Sequence, residues 1–447
     1  MSATRRSFIR CASLAAAGNI LGLRPFGTLN ALAQTTTDYK ALVCVFLYGG
    51  NDANNTIIPF DTTGYNGYSA TRGPLAIPQN QLLPLTPLPN FSLNPNLPDI
   101  QTLINNKNAA IVANVGTLVT PTTRALFQSN QSALPTNLFS HPDQQLEWQN
   151  AAQSAATSTG WAGRIADLLG TTYNTNASIP MITSVAGDTL FCNGQSSTPV
   201  SVSPGNLGGA NCSEGTSECG AQLAAAQALL TFDTGLTLVQ ADDSITSNAY
   251  KYAQTLTAAT QSVSALQTVF PSNNGLASQL KQIAQIIQVR AALGVKRQIF
   301  FAGIGNFDTH SDQLTLQNAL LAQISPALAA FYQATQELGV ASNVTTFTMS
   351  DFSRTYQPNS NTGTDHAWGS HHIVIGGAVK GGQMYGTFPT LALGGPDDSG
   401  SNGRWVPTTG SVQYAATLAQ WFGVDSAHLS AIFPNIGSFT SNNLGFV

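Results

Sequence analysis

Residues Lys40–Tyr48 (KALVCVFLY) form an unbroken apolar run rich in Val and Leu, closed by Gly49-Gly50. A strand with no polar alternation must be covered on both faces, which places it inside a sheet flanked by two helical layers. Ala109–Val115 is a second run of the same kind. The last third of the chain alternates between strand and helix patterns. It predicts strands at Gln298–Ile304, Thr345–Met349 and His372–Ile375, and helices over about Gln313–Leu338 and Tyr414–Phe422; residues 145–170 also read as helical. Strands separated by long helices predict a mostly parallel sheet with helices on both faces. Ligands of such sheets bind in the crevice at the carboxyl ends of the strands.

Between these parts lie stretches of different character. Pro74 to Pro98 is rich in Pro and Asn and reads as mostly irregular. Residues 197–220 are Gly, Ser and Asn with little apolar periodicity, and 221–296 return to helix, clearest where Leu280, Ile283, Ile287 and Ala291 share one face. A loop and helical insertion is therefore expected at about 190–296. Gly376–Gly382 lacks the spacing of a phosphate-cradling loop and reads as a tight connection. The sequence carries no internal repeat and no stretch read as transmembrane.

The N-terminus reads Thr4-Arg5-Arg6-Ser7-Phe8-Ile9-Arg10, followed by a weakly apolar run from Ala12 to Leu23. That is the order of a twin-arginine (Tat) signal. The run is Ala- and Gly-rich and short of the ~20 apolar residues a spanning helix needs, so no stable membrane anchor is expected. Ala31-Leu32-Ala33 offers a small-x-small cleavage site. The expected signal is 1–33, with residues 34–447 as the mature chain in the periplasm or secreted, and the Tat translocase as partner during export.

Charged residues make up only 9% of the chain and the net charge is −4. No basic surface is available for nucleic acid or acidic lipid, which favours small-molecule or neutral-polymer partners. Cys192, Cys212 and Cys219 share a Gly/Ser/Asn-rich context, and two of the three are expected to pair in an oxidising compartment. Cys44, inside the first apolar run, reads as a buried free thiol.

The polar residues fall at the predicted strand ends. The first strand runs into Gly49-Gly50-Asn51-Asp52, a later one into Asn306-Phe307-Asp308-Thr309-His310, and the next into Ser350-Asp351-Phe352-Ser353-Arg354. Just before His372–Ile375 comes Gly363-Thr364-Asp365-His366, and four of the six histidines (His310, His366, His371, His372) fall in this C-terminal region. Carboxylates and imidazoles converging from several strand ends are what a divalent cation requires; oxygen donors suit harder ions, and mixed sets suit zinc or manganese. Singly, each Asp in a Gly/Asn loop also reads as a turn or cap residue.

The segments FLYGGNDANNTIIP, TPTTRALF, FDTH, TMSDFSRT, GTDHAWGSHHIVIGGAVKGGQMYG and WVPTTGSVQYAATLAQWFG, with the Tat signal, resemble the DUF1501 family of exported proteins. That family is in turn similar to the alkaline phosphatase and sulfatase superfamily. The resemblance implies an alkaline-phosphatase-like three-layer α/β/α fold and an exported metal-dependent hydrolase of phosphate or sulfate esters, acting on a small-molecule or polymer substrate. The alternative is a non-catalytic binding or assembly protein on a degenerate version of the fold. The implied cofactor is a divalent metal: zinc, manganese, calcium or magnesium. Its implied ligands are Asp52, Asp308, His310, Asp351, and His366 or His371. This chain departs from the superfamily in Asp351-Phe352, where Asp-His is usual, and in the close spacing of Asp308 and His310; both departures point to an altered or lost metal position. Thr120-Pro121-Thr122-Thr123-Arg124 resembles the sulfatase nucleophile turn, which offers Thr122 or Thr123 for attack and Arg124 for orienting an anion. Val119 stands where that turn carries Cys or Ser, and a purely structural turn is the other reading. Ser140-His141 is either a further polar contact or a helix cap.

Overall fold

Every residue of Lys40–Leu47 except Lys40 is buried, as its apolar pattern requires. This strand, β1, lies between two parallel neighbours, Arg297–Ile304 on one side and Val344–Ser350 on the other. The computed structural model describes residues 38–129, 134–151, 157–207, 221, 224–225, 227–231 and 235–447. The chain separates into a leading unit, residues 1–39, and a body, Lys40–Val447, which holds the sheet and its helices. The expected signal 1–33 with its expected cleavage site, Cys212 and Cys219 lie outside the described residues. Cys44 and Cys192 are buried free thiols.

In chain order the main strands are β1, β2 (Ala109–Gly116), β3 (Ile182–Ser184), β4 (Arg297–Ile304), β5 (Val344–Ser350) and β6 (Ser370–Ile375). Among the described residues they form the centre of a nine-stranded sheet in the order β2, β6, β5, β1, β4, β3, with the short pairs Met384–Tyr385, Thr409–Gly410 and Val200–Ser201 completing it. All these pairings are parallel except those of β6, which runs antiparallel to both β2 and β5. The sequence pattern predicts β6 as one more parallel strand. Its reversal decides which residues reach the site, because the segment before β6, not the one after, lies at the carboxyl edge of the others.

The helices that matter are α1 (Thr62–Arg72), α2 (His141–Asn150), α3 (Trp161–Tyr173), α4 (Thr237–Gln261), α5 (Gly275–Gln288), α6 (Gln313–Glu337) and α7 (Ser411–Phe422). On one face of the sheet, Leu42, Cys44 and Phe46 of β1 join Trp161 and Ile165 of α3 and Tyr414, Leu418 and Phe422 of α7 in a single apolar core. On the other, α5 packs on β4 and α6. Leu276, Leu280, Ile283, Ile286 and Ile287 of α5 are wholly buried, each stabilising by about 1.5–3 kcal/mol. The result is a mixed α/β fold with a mostly parallel central sheet covered by helices on both faces. α6 is long and apolar enough to cross a membrane by composition, yet its Leu321, Ile324, Leu328 and Phe331 are buried in the body. The Pro- and Asn-rich stretch, expected to be irregular, supplies Leu83–Leu85 and Leu88–Leu93, and Leu88–Leu93 pairs with Ile57–Pro59 on one side and Leu83–Leu85 on the other in a small antiparallel sheet. Its prolines, Pro59, Pro84 and Pro89, sit in short strands where a missing N–H is tolerated.

Candidate metal centre

The loops after β1, β4 and β5 meet because the three strands are adjacent and parallel. They come closer than side chains would normally allow. Gly49 has φ +107, and a Cβ there would lie 2.5 Å from the backbone nitrogen of Asp308; glycine alone fits this position. Arg354, fully buried, ties the loops together. Its Nε donates to Gly50 O at 3.0 Å, Nη1 to Thr364 O at 3.2 Å, and Nη2 to Phe307 O at 3.1 Å and to Asp308 Oδ1. One guanidinium thus links the ends of β1 and β4 to the segment before β6.

Around Asp308 Oδ1 stand three imidazole nitrogens. His310 Nε2 is 3.0 Å away, His141 Nε2 3.3 Å and His366 Nε2 3.4 Å. His366 Nε2 is also 3.1 Å from His141 Nε2 and 3.0 Å from His310 Nε2. A cation holding nitrogen and oxygen donors tetrahedrally at ~2.0–2.1 Å sets its donors ~3.3 Å apart. The ligand atoms of His141, Asp308 and His366 lie within 4.8 Å of one another as a set, and His310 adds a fourth donor beside them.

The other nitrogen of each ring faces an oxygen. His141 Nδ1 is 2.7 Å from Asp351 Oδ2, His366 Nδ1 is 2.7 Å from the carbonyl of Phe139, and His310 Nδ1 is 3.3 Å from Asp365 Oδ1. A carbonyl oxygen only accepts, so the proton of neutral His366 sits on Nδ1 and its Nε2 presents a lone pair. The Asp351 carboxylate fixes His141 in the same tautomer. Two lone pairs 3.1 Å apart repel unless a cation or a shared proton lies between them, and oxygen partners behind metal-bound imidazoles are the usual supporting arrangement. The donor set therefore fits a divalent metal.

Electrostatics agree with that reading. Burial alone would raise the Asp308 carboxyl, but the Arg354 guanidinium with His141 and His310 outweighs it and holds it down at about 2. The hydrogen bond to Asp351 raises His141, whereas burial lowers His366. The cluster is part-buried, with the Asp308 side chain 48% exposed, so a ligand can reach it from solvent.

Asp308, His310 and His366 thus meet, and Asp351 stands behind His141, fully buried. Its Oδ1 takes the Gly49 N–H at 3.1 Å and its Oδ2 the Gln145 amide at 2.7 Å. The other expected residues lie apart. Asp52 is buried with its Oδ2 bonded to Arg72 and Gln313 and its Oδ1 accepting from Asn54 N at 2.9 Å. His371 lies within β6, where its Nδ1 accepts from Asn114 N at 3.0 Å and its ring stacks on Phe388. Thr122 Oγ1 donates to Thr120 O at 2.9 Å, Thr123 Oγ1 accepts from Leu126 N at 3.3 Å, and Arg124 Nη1 binds Gly395 O at 2.8 Å and Asp398 O at 2.9 Å. These three close their own turn and clamp a neighbouring loop.

His141 is the donor that sequence reading placed only as a polar contact or cap residue. It opens α2, directly after the cap residue Ser140, and also points into the centre. The legible signal was His141 and Gln145 four residues apart, one helical face carrying two groups to the same Asp351 carboxylate.

Fold and site together define an α/β protein with a His/Asp centre at the carboxyl edge of a mostly parallel sheet. Residues 39–399 match the family described as "Protein of unknown function (DUF1501)", and the chain belongs to that family. No curated protein is similar enough to be matched to it. Among solved structures, the chain is similar to the lipoteichoic acid synthase LtaP from Listeria monocytogenes at 8% identity, covering 87% of this chain and 72% of that one with a TM-score of 0.36. A protein in the alkaline phosphatase superfamily from Vibrio parahaemolyticus gives 10% identity, 87% and 67% coverage and a TM-score of 0.36. The PsFucS1 sulfatase from Pseudoalteromonas sp. gives 9% identity, 83% and 70% coverage and a TM-score of 0.32. Likenesses this low say nothing of substrate.

Proposed function

We propose that the chain is an exported, metal-dependent hydrolase of phosphate or sulfate esters. The observation that carries this reading is the convergence of three imidazole Nε2 atoms on Asp308 Oδ1 with an oxygen behind each ring. His141, His310, His366 and Asp308 would hold the ion. Three nitrogens and one oxygen suit zinc better than manganese, calcium or magnesium, which prefer oxygen donors. A divalent ion there would supply Lewis acidity toward an ester oxygen. The chain's own residues do the rest: Asp351, Asp365 and the Phe139 carbonyl hold the rings in register, and Arg354 keeps Asp308 ionised and in place.

Elemental analysis of mature protein purified without chelators tests the reading, together with hydrolysis of p-nitrophenyl phosphate and p-nitrophenyl sulfate before and after metal removal. One bound ion per chain and turnover lost on chelation are expected. Protein that takes up no ion would overturn it. The second reading, a binding or assembly protein on a degenerate fold, is favoured by the Asp52 carboxylate being bonded to Arg72 and by the Thr122 and Thr123 hydroxyls turning into their own loop. Metal uptake with no turnover of either ester would select it.

The export part of the proposal rests on Arg5-Arg6. A Lys-Lys replacement is expected to leave the precursor in the cytoplasm on fractionation.

A further inference from the structure

Beside the centre lies a second cationic group, on the loop between β6 and α7. Asp398, fully buried, gathers four backbone N–H groups: Gly394 and Gly403 at 2.9 Å on Oδ2, Gly400 at 3.0 Å and Arg404 at 3.1 Å on Oδ1. The backbone of Arg404 is thereby fixed. Its Nε donates to the carbonyl of His366 at 2.8 Å, and its guanidinium carbon lies 4.5 Å from the ring centroid of Phe139. Phe139 is the residue whose carbonyl holds His366 Nδ1. It sits at φ 78, in the left-handed region that an aromatic residue rarely adopts. Strain of this kind persists where the surroundings impose it, and it clusters at functional sites.

Arg404 differs from the other arginines at this edge. Arg354 uses Nε, Nη1 and Nη2 on Gly50, Thr364, Phe307 and Asp308. Arg72 uses all three on Asn55, Thr355, Tyr356 and Asp52. Among the described residues, Nη1 and Nη2 of the part-buried Arg404 have no protein partner. A guanidinium fixed at Nε, with a ring beneath it and its terminal fork free, is the arrangement that takes two oxygens of a phosphate or sulfate group.

We propose that Arg404 is a substrate-binding residue that clamps the anionic head of the ester beside the His/Asp centre, an inference that rests on the metal-centre reading. The charges set a condition on it. Asp308, Asp351 and Asp365, which contact the imidazoles, and Asp398, which holds the Arg404 backbone, outnumber the guanidiniums of Arg354 and Arg404 by two charges. A divalent ion offsets that excess and gives the anion a positive partner at the centre. The anion therefore binds after the metal, and its affinity depends on both.

Titration calorimetry of the full mature chain with inorganic phosphate and inorganic sulfate, zinc-loaded and metal-free, tests this. The loaded wild type is expected to bind at least tenfold more tightly than the metal-free protein. Arg404→Met should weaken binding to the loaded protein at least tenfold with zinc content unchanged, and Arg404→Lys, which keeps the charge but not the fork, should fall between. Wild-type affinity in the loaded Arg404→Met protein, or binding indifferent to zinc, would overturn the inference. If Arg404→Met does not fold, Arg404→Lys decides: at least threefold weaker binding supports the clamp, and unchanged binding overturns it. A wild-type chain that takes up no zinc overturns the metal centre itself, a result distinct from zinc uptake with anion binding indifferent to Arg404.

Discussion

Two sets of polar side chains share the carboxyl edge of the sheet, and they differ in where their free valences point. The dry set comprises Asp52 with Arg72, and His371 with His372; all four are buried. The open set comprises Asp308 with His141, His310 and His366. Asp52 has an arginine, an amide and a backbone N–H around it, so it is already neutralised and satisfied. Asp308 also has an arginine, but on its far side stand three nitrogens that, with their protons directed to outer oxygens, can only accept. Residue type and strand position are alike in the two sets. Whether the neighbours donate or accept separates a structural ion pair from the candidate metal centre.

The dry histidines give the largest expected effect. Burial depresses both His371 and His372 to about 3, against ~6.5 in an unfolded chain. Among the described residues, neither Nε2 has a hydrogen-bond partner to share a positive charge. Between pH 6.5 and 3 the unfolded chain therefore binds protons that the fold refuses. Their contribution is intact above pH 6.5 and is lost as the pH falls toward 3, with a ceiling of about 5 kcal/mol for each ring. Urea unfolding at a series of pH values should show this slope, and His372→Phe, between Trp148 and Tyr414, should reduce it. An unchanged slope in that variant would assign the acid lability elsewhere.

The dry ion pair comes next. Removing Arg72 alone strands a carboxylate with no exposed surface, and Arg72→Met is expected to cost about 3–5 kcal/mol. The double variant Asp52→Asn, Arg72→Met should recover part of that loss. Metal content per folded chain should not change in either. Loss of the ion from folded Arg72→Met protein would mean that the two sets are one coupled site, and the comparison would fail.

The apolar runs made most of the fold legible. β1, β4 and β5 are buried on both faces, so their sequences carry no alternation to misread, and their three following loops supply Gly49, Asp308 and Asp351 at one edge. The direction of β6 was not legible, because nothing in Ser370–Ile375 records whether its neighbours run with it or against it. That direction separates His366 from His371, five residues apart. His366 precedes the reversed strand and lies in the mouth, while His371 lies within the strand and faces Phe388. Asp52 lies apart from the centre for a related reason: its partner Arg72 comes from α1, twenty positions away, and no local pattern announces the pair.

Within the open set the supporting oxygens are unequal, which gives a smaller and more discriminating expectation. Asp351 is fully buried, lies 2.7 Å from His141 Nδ1, and is held in place by the Gln145 amide and the Gly49 N–H. Asp351→Asn removes the charge behind the ring and permits the wrong tautomer. Metal affinity should fall about 10–100-fold, the range found when such outer partners are removed, as read by competition with a chromogenic chelator. Asp365 stands behind His310 in the same role, but at 3.3 Å and with its side chain 49% exposed. Solvent screens that charge, and water can replace the carboxylate as acceptor for His310 Nδ1. Asp365→Asn is therefore expected to weaken metal binding by less than about tenfold, with the stoichiometry of one ion per chain retained. Equal losses in the two variants would show that distance and burial do not grade the outer partners. A larger loss from Asp365→Asn would make His310, not His141, the ring on which the centre depends.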